Sequence, residues 1–204
     1  QRYAKNGAPI GDNFKVNDNQ DSSYRGKPDI ACAANGNLVI TWEDRRNDDY
    51  HIYAQRFTAN GEVIRSNFKV SEDQSVRCNI REPAIACDDS GNFVITWYRY
   101  SYGYVLSNVS IYAQRFAGDG TPLGANFKVD DVQDSAYKWN PDIAISSNGT
   151  IVIAWEYQRN GNYDVFVQRY TSDGAPLGGN INFGEIVENS NQEWPLIAAD
   201  ENGA

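Results

Sequence analysis

The chain contains four copies of one sequence unit. The dipeptide Gln-Arg recurs four times, beginning at Gln1, Gln55, Gln114 and Gln168. Successive copies are therefore 54, 59 and 54 residues apart, and they divide the chain into units of approximately 1–54, 55–113, 114–167 and 168–204, the last one incomplete. A repeat of this length is typical of architectures in which one supersecondary unit recurs along a line or around an axis. We expect residues shared by all copies to be scaffold, and residues found in one copy to be candidates for function.

Each unit reads as four short strands without helical periodicity. In the second copy the predicted strands are Pro83–Asp88, Phe93–Trp97, Ile111–Phe116 and Asn126–Val129, with glycine-containing turns between them. The second strand is apolar without alternation, which is typical of a strand covered on both faces. Four-stranded antiparallel sheets repeated at this period predict an all-β fold, a β-propeller. A solenoid is the competing arrangement.

The repeats do not divide evenly among blades. The chain opens on the third strand of one unit, and its last unit lacks the strand that corresponds to Phe93–Trp97. Joining the two ends would leave one interior strand missing. We therefore expect a single propeller, or part of one, whose ring is completed by further blades outside this sequence or by another chain.

Composition excludes two classes of partner. The net charge of −9 at pH 7 argues against nucleic acid, because phosphate binding needs clustered Lys and Arg. No apolar run reaches the roughly 18 residues that a membrane-spanning helix requires. Cations, neutral sugars and basic proteins remain compatible with this charge. The abundance of Asn, Gly, Asp and Tyr indicates a secreted or cell-surface protein.

The three cysteines leave the disulfide state open. Cys32 and Cys87 occupy the same repeat position, where the third copy has Ile145, which favours a small buried apolar role for both. Cys78 has no such equivalent. In an oxidising compartment Cys78 could pair with one of the other two.

Nearly the whole chain resembles a known repeat family. The motif elements of the first copy are Pro28, Asn35-Gly36, Leu38–Trp42, Asp44–Asn47 and Ile52-Tyr53. Together with the Gln-Arg-Phe and Asp-Gly elements of the other copies, they resemble tandem β-propeller repeats of secreted bacterial surface proteins and, more distantly, the TolB-type propeller repeat. That resemblance implies an interaction module without chemistry of its own, although one fold hosts many functions.

Candidate ligand-binding residues lie in the segments that vary between copies. Alternating strand direction places the tight glycine turns on one face, and the longer variable connections on the other, where function usually resides. Aromatic rings supply flat stacking surfaces and neighbouring polar groups fix the orientation of a sugar or protein ligand. The predicted ligand-binding residues are Tyr24, Tyr98, Tyr100, Tyr102, Tyr104, Tyr137, Trp139 and Trp194.

Acidic residues suggest two cation sites. Asp44, Asp48 and Asp49 form the densest acidic loop and are the candidate ligands for calcium, the one cofactor that the sequence suggests. Asp29 and Asp142 begin the first strand in two copies, where they could line the mouth of a central channel. A solvated acidic loop is the competing interpretation for the first set.

The sequence shows no familiar catalytic constellation. It has one histidine, His51, and neither a nucleophile motif nor zinc-type spacing of His and Cys. Glu43 and Glu156 follow equivalent tryptophans, so they could converge as a glycosidase-type carboxylate pair. We therefore predict an extracellular recognition module that binds glycan or protein. The alternatives are part of a polysaccharide-active propeller enzyme, or a purely structural repeat of a surface adhesin.

Overall fold

The computed structural model describes residues 1–18, 21–46, 49–72, 78–102, 108–131, 136–159, 161–183 and 191–199. Their strands, in chain order, are β1 Arg2–Tyr3, β2 Pro9–Ile10, β3 Arg25–Cys32, β4 Leu38–Asp44, β5 His51–Phe57, β6 Val63–Lys69, β7 Cys78–Cys87, β8 Phe93–Ser101, β9 Asn108–Phe116, β10 Phe127–Lys128, β11 Tyr137–Ile145, β12 Ile151–Arg159, β13 Asn162–Tyr170 and β14 Ile181–Asn182. Within this part of the chain, no helix has the length and apolar character that crossing a membrane requires.

The strands form three four-stranded antiparallel sheets in sequence order, and a separate pair formed by β1 and β2. The first blade is β3–β6, the second is β7–β10 and the third is β11–β14. Every pairing within a blade joins strands that are consecutive in sequence. The predicted all-β propeller with four-stranded blades is confirmed, and its blades begin about half a unit after the Gln-Arg repeat does.

Large apolar side chains fill the wedges between blades. Trp97 and Phe93 lie in a buried cluster shared by the first and second blades. Trp155 lies in the corresponding cluster between the second and third blades. Both tryptophans are almost inaccessible to solvent, at 1% and 0% exposure. Burial of an aromatic side chain of this size is among the largest single contributions to a core, so these positions recur in each copy.

The first strand of each blade passes through a β-bulge at its proline. The residue before the proline has a left-handed backbone in all four copies, with φ of 48° at Lys27, 53° at Glu82, 47° at Asn140 and 60° at Trp194. In the three complete blades, the pairing register shifts at this point. Because a bulge lets a strand bend without ending, the strand continues on both sides of the proline.

This bulge corrects the predicted strand boundaries. Strand β7 begins at Cys78 rather than at Pro83, and β11 begins at Tyr137, in a segment predicted to be an inter-blade connection. Strand β8 likewise runs on to Ser101, so Tyr98 and Tyr100 lie on a strand and not in the predicted loop, paired with Ile111 and Val109. The aromatic positions are consequently held by ladder hydrogen bonds.

The repeated arginines tie each blade to the next. Arg56 donates to the carbonyl of Gly118 over 2.6 Å, and Arg115 donates to the carbonyl of Ser172 over 3.1 Å. Arg2 makes the equivalent bond to the carbonyl of Ala59 over 2.9 Å. These carbonyls belong to the turns after the third strand of the following blade. The arginines that recur beside Gln therefore have the scaffold role expected of residues present in every copy.

The structure separates Cys78 from the other two cysteines. The three cysteines form no disulfide with one another, and Cys32 is exposed while Cys87 is half-buried, so the expected buried role is wrong for Cys32. Cys78 and Cys87 stand at the two ends of β7, a ten-residue strand that spans about 30 Å at the usual rise. Cys87 is close enough to Cys32 for their charges to interact, and burial, followed by this interaction, raises the pKa of Cys87 to about 12. The length of β7 excludes a disulfide between Cys78 and Cys87, because bridged cysteines need Cα atoms within about 7 Å of each other.

Candidate functional site

The first strands of the three blades, together with the equivalent segment around Pro195, surround a central cavity of about 470 Å³. Each strand contributes the residue before its proline, the proline and the residue after it. The lining residues are Lys27, Pro28, Asp29, Glu82, Pro83, Ala84, Asn140, Pro141, Asp142, Trp194, Pro195 and Leu196. Convergence of equivalent positions on one space shows that the units are arranged radially around a hollow centre and not stacked in a line.

A second concavity of about 270 Å³ adjoins the central cavity, and we call it the aromatic cleft. Its lining residues are Glu82, Tyr98, Trp139, Asn140, Glu156, Tyr163, Glu193 and Trp194. It shares Glu82, Asn140 and Trp194 with the central cavity. The cleft therefore extends from the second blade across the third to the segment that follows it, and it is walled by four aromatic rings, three carboxylates and one amide.

Sheet pairing fixes the positions of the rings. Trp139 of β11 pairs with Glu156 of β12, which places it beside the wall of the cleft. Tyr137 stacks on Trp139 with ring centroids 5.4 Å apart and an interplanar angle of 23°. Trp194 is 67% exposed, yet its backbone N–H donates to Oε1 of Glu156 over 2.6 Å. An exposed ring on an anchored backbone is ready for stacking at little cost in ordering.

Two carboxylates of the cleft, Glu156 and Glu82, are held by backbone and side-chain donors of neighbouring residues. Oε1 of Glu156 also accepts from Nδ2 of Asn140 over 2.8 Å. Oε2 of Glu82 accepts from the backbone N–H of Asn140 over 3.1 Å, and Oε1 of Glu82 lies 3.6 Å from Nζ of Lys27. These bonds hold the polar wall in one arrangement before any ligand arrives.

One departure from the repeat, in the second blade, contributes to the formation of the cleft. In the first and third blades, the glutamate after the repeated tryptophan accepts a hydrogen bond from the backbone N–H of the next left-handed residue. Glu43 accepts from Glu82 over 2.8 Å, and Glu156 accepts from Trp194 over 2.6 Å. The second blade has Tyr98 at that position, so the N–H of Asn140 turns to the side chain of Glu82 instead. This exchange places a carboxylate and a tyrosine ring in the wall of the cleft.

The same bonds rule out the expected pairing of Glu43 with Glu156. Both side chains are buried, and Glu43 is committed to the N–H of Glu82 and to an ion pair with Arg81 at 3.1 Å. Glu156 lines the aromatic cleft, whereas Glu43 lines neither that cleft nor the central cavity. The two carboxylates are equivalent scaffold groups at different blade junctions, and they do not share a site.

Tyr98 remains protonated over the physiological range. Burial is the largest cause that raises its pKa, to about 12, and the negative charge of Glu82 adds to that effect while Arg81 opposes it. A protonated phenol can both donate and accept a hydrogen bond. Tyr98 therefore offers the cleft a polar handle beside its ring.

The structure brings together some of the predicted aromatic residues and separates the others. Tyr98, Trp139 and Trp194 line the cleft, and Tyr137 lies beside it. Tyr100 and Tyr102 form an edge-to-face pair at 4.8 Å that lines no part of the cleft.

Tyr24 packs edge-on against Tyr50 at 5.7 Å on the first blade, also away from the cleft. Tyr104 lies outside the described residues. The predicted binding residues are thus distributed over three places, and the aromatic cleft gathers the largest group of them.

The predicted calcium site has one member with a structural role. Asp44 is fully buried, and its Oδ2 accepts from Arg46 over 2.6 Å and from Trp42 and Arg25 over 3.2 Å each. Asp48 lies outside the described residues. Within the described ones, no group of three His, Cys, Asp or Glu side chains is placed to hold a metal ion. Calcium binding at Asp44, Asp48 and Asp49 therefore stays a prediction.

Asp29 and Asp142 line the central cavity, where they connect blades. Oδ2 of Asp29 accepts from the backbone N–H of Ile85 over 2.8 Å, and Oδ2 of Asp142 accepts from that of Ile197 over 2.6 Å. Burial raises the pKa of Asp142, and the charge of Asp29 adds to the effect. Each carboxylate thus satisfies a backbone donor of the following copy.

Sequence reasoning missed four residues of the cleft, namely Glu82, Asn140, Tyr163 and Glu193. A signal for two of them was present, because the position before the repeated proline changes from Lys27 to Glu82, Asn140 and Trp194 between copies. A variable residue beside a constant proline is where one repeat can differ from the next without loss of the fold.

Comparisons with known proteins identify the fold. No protein-family model matches the chain, and no curated protein matches it. An endo-arabinase from Bacteroides thetaiotaomicron is similar, with a TM-score of 0.53 and 17% identity over 86% of this chain and 66% of that one. An alpha-L-arabinanase of Penicillium chrysogenum, solved with arabinobiose, has a TM-score of 0.50 and 10% identity over 81% of this chain and 59% of that one.

A family 117 glycoside hydrolase produced by Zobellia galactanivorans is also similar, with a TM-score of 0.50 and 14% identity over 83% of this chain and 58% of that one. The chain spans about three fifths to two thirds of the length of these solved structures. At these identities the likeness shows a fold shared with carbohydrate-active enzymes. The resemblance to TolB-type and bacterial surface repeats stays a prediction.

Proposed function

We propose that the aromatic cleft binds carbohydrate and that the chain is the sugar-binding part of a polysaccharide-active propeller protein. The observation that carries this proposal is the convergence of Trp139, Tyr163 and Trp194 with carboxylates and an amide on one concavity of about 270 Å³. Flat rings cover the apolar faces of sugar rings, and fixed polar groups pair with hydroxyl groups. The shared fold with an arabinanase solved with arabinobiose supports it.

Titration calorimetry with a panel of neutral oligosaccharides, arabino-oligosaccharides included, tests the binding. We expect Trp139→Ala to weaken binding about five- to thirtyfold, because a lost stacking ring removes roughly 1–2 kcal/mol. Tyr24→Ala is the matched control, since Tyr24 is an exposed ring on the first blade that lies away from the cleft. Unchanged affinity in a folded Trp139→Ala variant would contradict the proposal.

Polysaccharide hydrolysis is the second candidate function, favoured by the enzymes that share the fold. Glycoside hydrolysis needs two carboxyl groups beside the scissile bond. Glu82 and Glu193 are the acidic residues of the cleft other than Glu156, which is committed to Asn140 and Trp194. Release of reducing sugar from arabinan that is lost in Glu82→Gln, with binding retained, would establish catalysis. Binding without release would leave a recognition module.

We also propose that another blade covers the open face of β3. Ile30 is 53% exposed, whereas its equivalents Ile85 and Ile143 are 6% and 5% exposed beneath the preceding blade. A second copy of the chain could supply that blade. Light scattering would then show an oligomer that Ile30→Asp dissociates, and a monomer would rule out a second copy as the cover.

A further inference from the structure

The aromatic cleft is negatively charged. Three of its lining residues are the acids Glu82, Glu156 and Glu193, and none is Lys, Arg or His. Lys27 pairs with Glu82 from the central cavity at 3.6 Å, with about half of its side chain in solvent, and Arg81 pairs with Glu43, outside the cleft, at 3.1 Å. Three acids against one half-solvated lysine leave the cleft with a net negative charge, which a positive ligand would meet.

The rings of the cleft favour the same sign of ligand. The face of Trp or Tyr carries negative quadrupole density and attracts an ammonium group, most strongly where water is excluded. Trp139, Tyr163 and Trp194 line the cleft together with the acids. The negative field is also felt by Tyr98, whose pKa is raised by burial and then by the charge of Glu82.

We propose that the ligand of the aromatic cleft is an amino sugar with a free, protonated amine, an inference that rests on the proposed carbohydrate binding. The amine lies against the ring faces and pairs with Glu82 or Glu193, while the sugar ring stacks on Trp139 or Trp194. Acidic sugars are excluded by the same charges, because like-charged contacts across an interface cost affinity. The net charge of −9 reinforces this selection at long range.

A matched pair of ligands tests the proposal. Titration calorimetry compares glucosamine tetrasaccharide with its fully N-acetylated counterpart, which has the same backbone without the charge. We expect the free amine to bind about tenfold more tightly at low salt, and the preference to shrink at about 300 mM salt as charges are screened.

Variants locate the effect. Glu82→Gln and Glu193→Gln together should abolish the preference, whereas Glu62→Gln, at an exposed acid in a turn after β5, should leave it intact. Thermal unfolding of each variant shows whether it is folded.

The outcomes separate this inference from the proposed function. Equal or tighter binding of the N-acetylated ligand, still dependent on Trp139, overturns the amine preference and leaves carbohydrate binding standing. If neither ligand nor any neutral oligosaccharide binds, both proposals fall.

Discussion

The carboxylate of Glu43 accepts the backbone N–H of Glu82 over 2.8 Å, and this bond joins the first blade to the second where β7 turns through a left-handed residue. Glu156 and Trp194 repeat the relationship at the far side of the third blade, over 2.6 Å. A left-handed non-glycine residue costs about 1–2 kcal/mol, and it persists where its surroundings fix it. In this propeller the fixing group comes from the preceding blade.

Glu43→Ala should therefore destabilise the fold by about 3 kcal/mol. The substitution removes the buried acceptor of Glu82 and leaves Arg81 without its ion-pair partner, whose loss is costly because Glu43 is fully buried. Urea unfolding of Glu43→Ala measures the loss, and Glu62→Gln is a control at an exposed acid. A free energy of unfolding within 0.5 kcal/mol of wild type, a span of about the size usual for surface substitutions, would contradict the scaffold role.

A glycine pair separates backbone strain from the contact between blades. Gly120 and Gly124 have nearly the same φ, 85° and 83°, so alanine at either position carries a similar strain of about 1–2 kcal/mol. A Cβ at Gly120 would lie 2.8 Å from Nη1 of Arg56, whereas one at Gly124 meets nothing within 4 Å. We expect Gly120→Ala to cost about 1–2 kcal/mol more than Gly124→Ala, because Arg56 must give up its bonds to the next blade.

The double variant with Arg56→Ala checks that explanation. With the guanidinium absent, the extra cost at Gly120 should disappear, and a double-mutant cycle by urea unfolding measures it. Equal destabilisation by Gly120→Ala and Gly124→Ala in the wild-type background would show that the Arg56 side chain moves aside without a loss of stability.

The fold could be predicted because its signals are local and repeated. Runs such as Phe93–Trp97 are strand-forming and buried on both faces, and glycines such as Gly91, with φ of 86°, mark the turns. The extent of the strands could not be predicted from the same signals. A proline normally marks a strand end, and nothing in the local sequence shows that Glu82 adopts a left-handed conformation that lets β7 continue.

The candidate site was predictable only in its aromatic half. Trp139 and Trp194 stand out in the sequence as rings in variable segments, but their meeting depends on the arrangement of separate blades. Glu82 enters the cleft because Tyr98 replaces a glutamate in one copy. The backbone N–H of Asn140, which is distant in sequence, then bonds to the side chain of Glu82 instead. Such a contact becomes visible once the blades are placed side by side.

Asp44 should make the stability of the first blade sensitive to acid. Burial favours a higher pKa for this carboxyl group, but hydrogen bonds from Arg46 and Trp42 outweigh it and hold the pKa below its usual value. A group with a lowered folded pKa stabilises the fold above its unfolded pKa of about 3.9, and this contribution is lost as the pH falls through the folded value.

Urea unfolding of wild type and Asp44→Asn should therefore differ by a constant amount above about pH 5, with a gap that narrows below about pH 4. Asp12→Asn, at an exposed acid, is the comparison. A gap that widens as the pH falls would show that the sign of the linkage is wrong.

The buried ion pair between Asp130 and Lys138 joins the second blade to the third, and its two members should respond differently to substitution. Lys138 is fully buried with Nζ 3.6 Å from Oδ2 of Asp130, while Oδ1 of Asp130 accepts from the backbone N–H of Ile111 over 2.7 Å. Asp130→Ala removes the carboxylate beside a buried ammonium and the acceptor of the Ile111 N–H, and should cost about 3–5 kcal/mol. Lys138→Met keeps the side-chain volume. Asp130 retains its hydrogen bond from Ile111 and its ion pair with Lys128, whose Nζ lies 3.0 Å from Oδ2, so the loss of stability should stay below about 1.5 kcal/mol. Chemical denaturation of both variants at one pH measures the two losses of stability. Equal losses would mean that the charge of Lys138 stabilises the fold, which would contradict the argument that the cost of burying this charge offsets its attraction to Asp130.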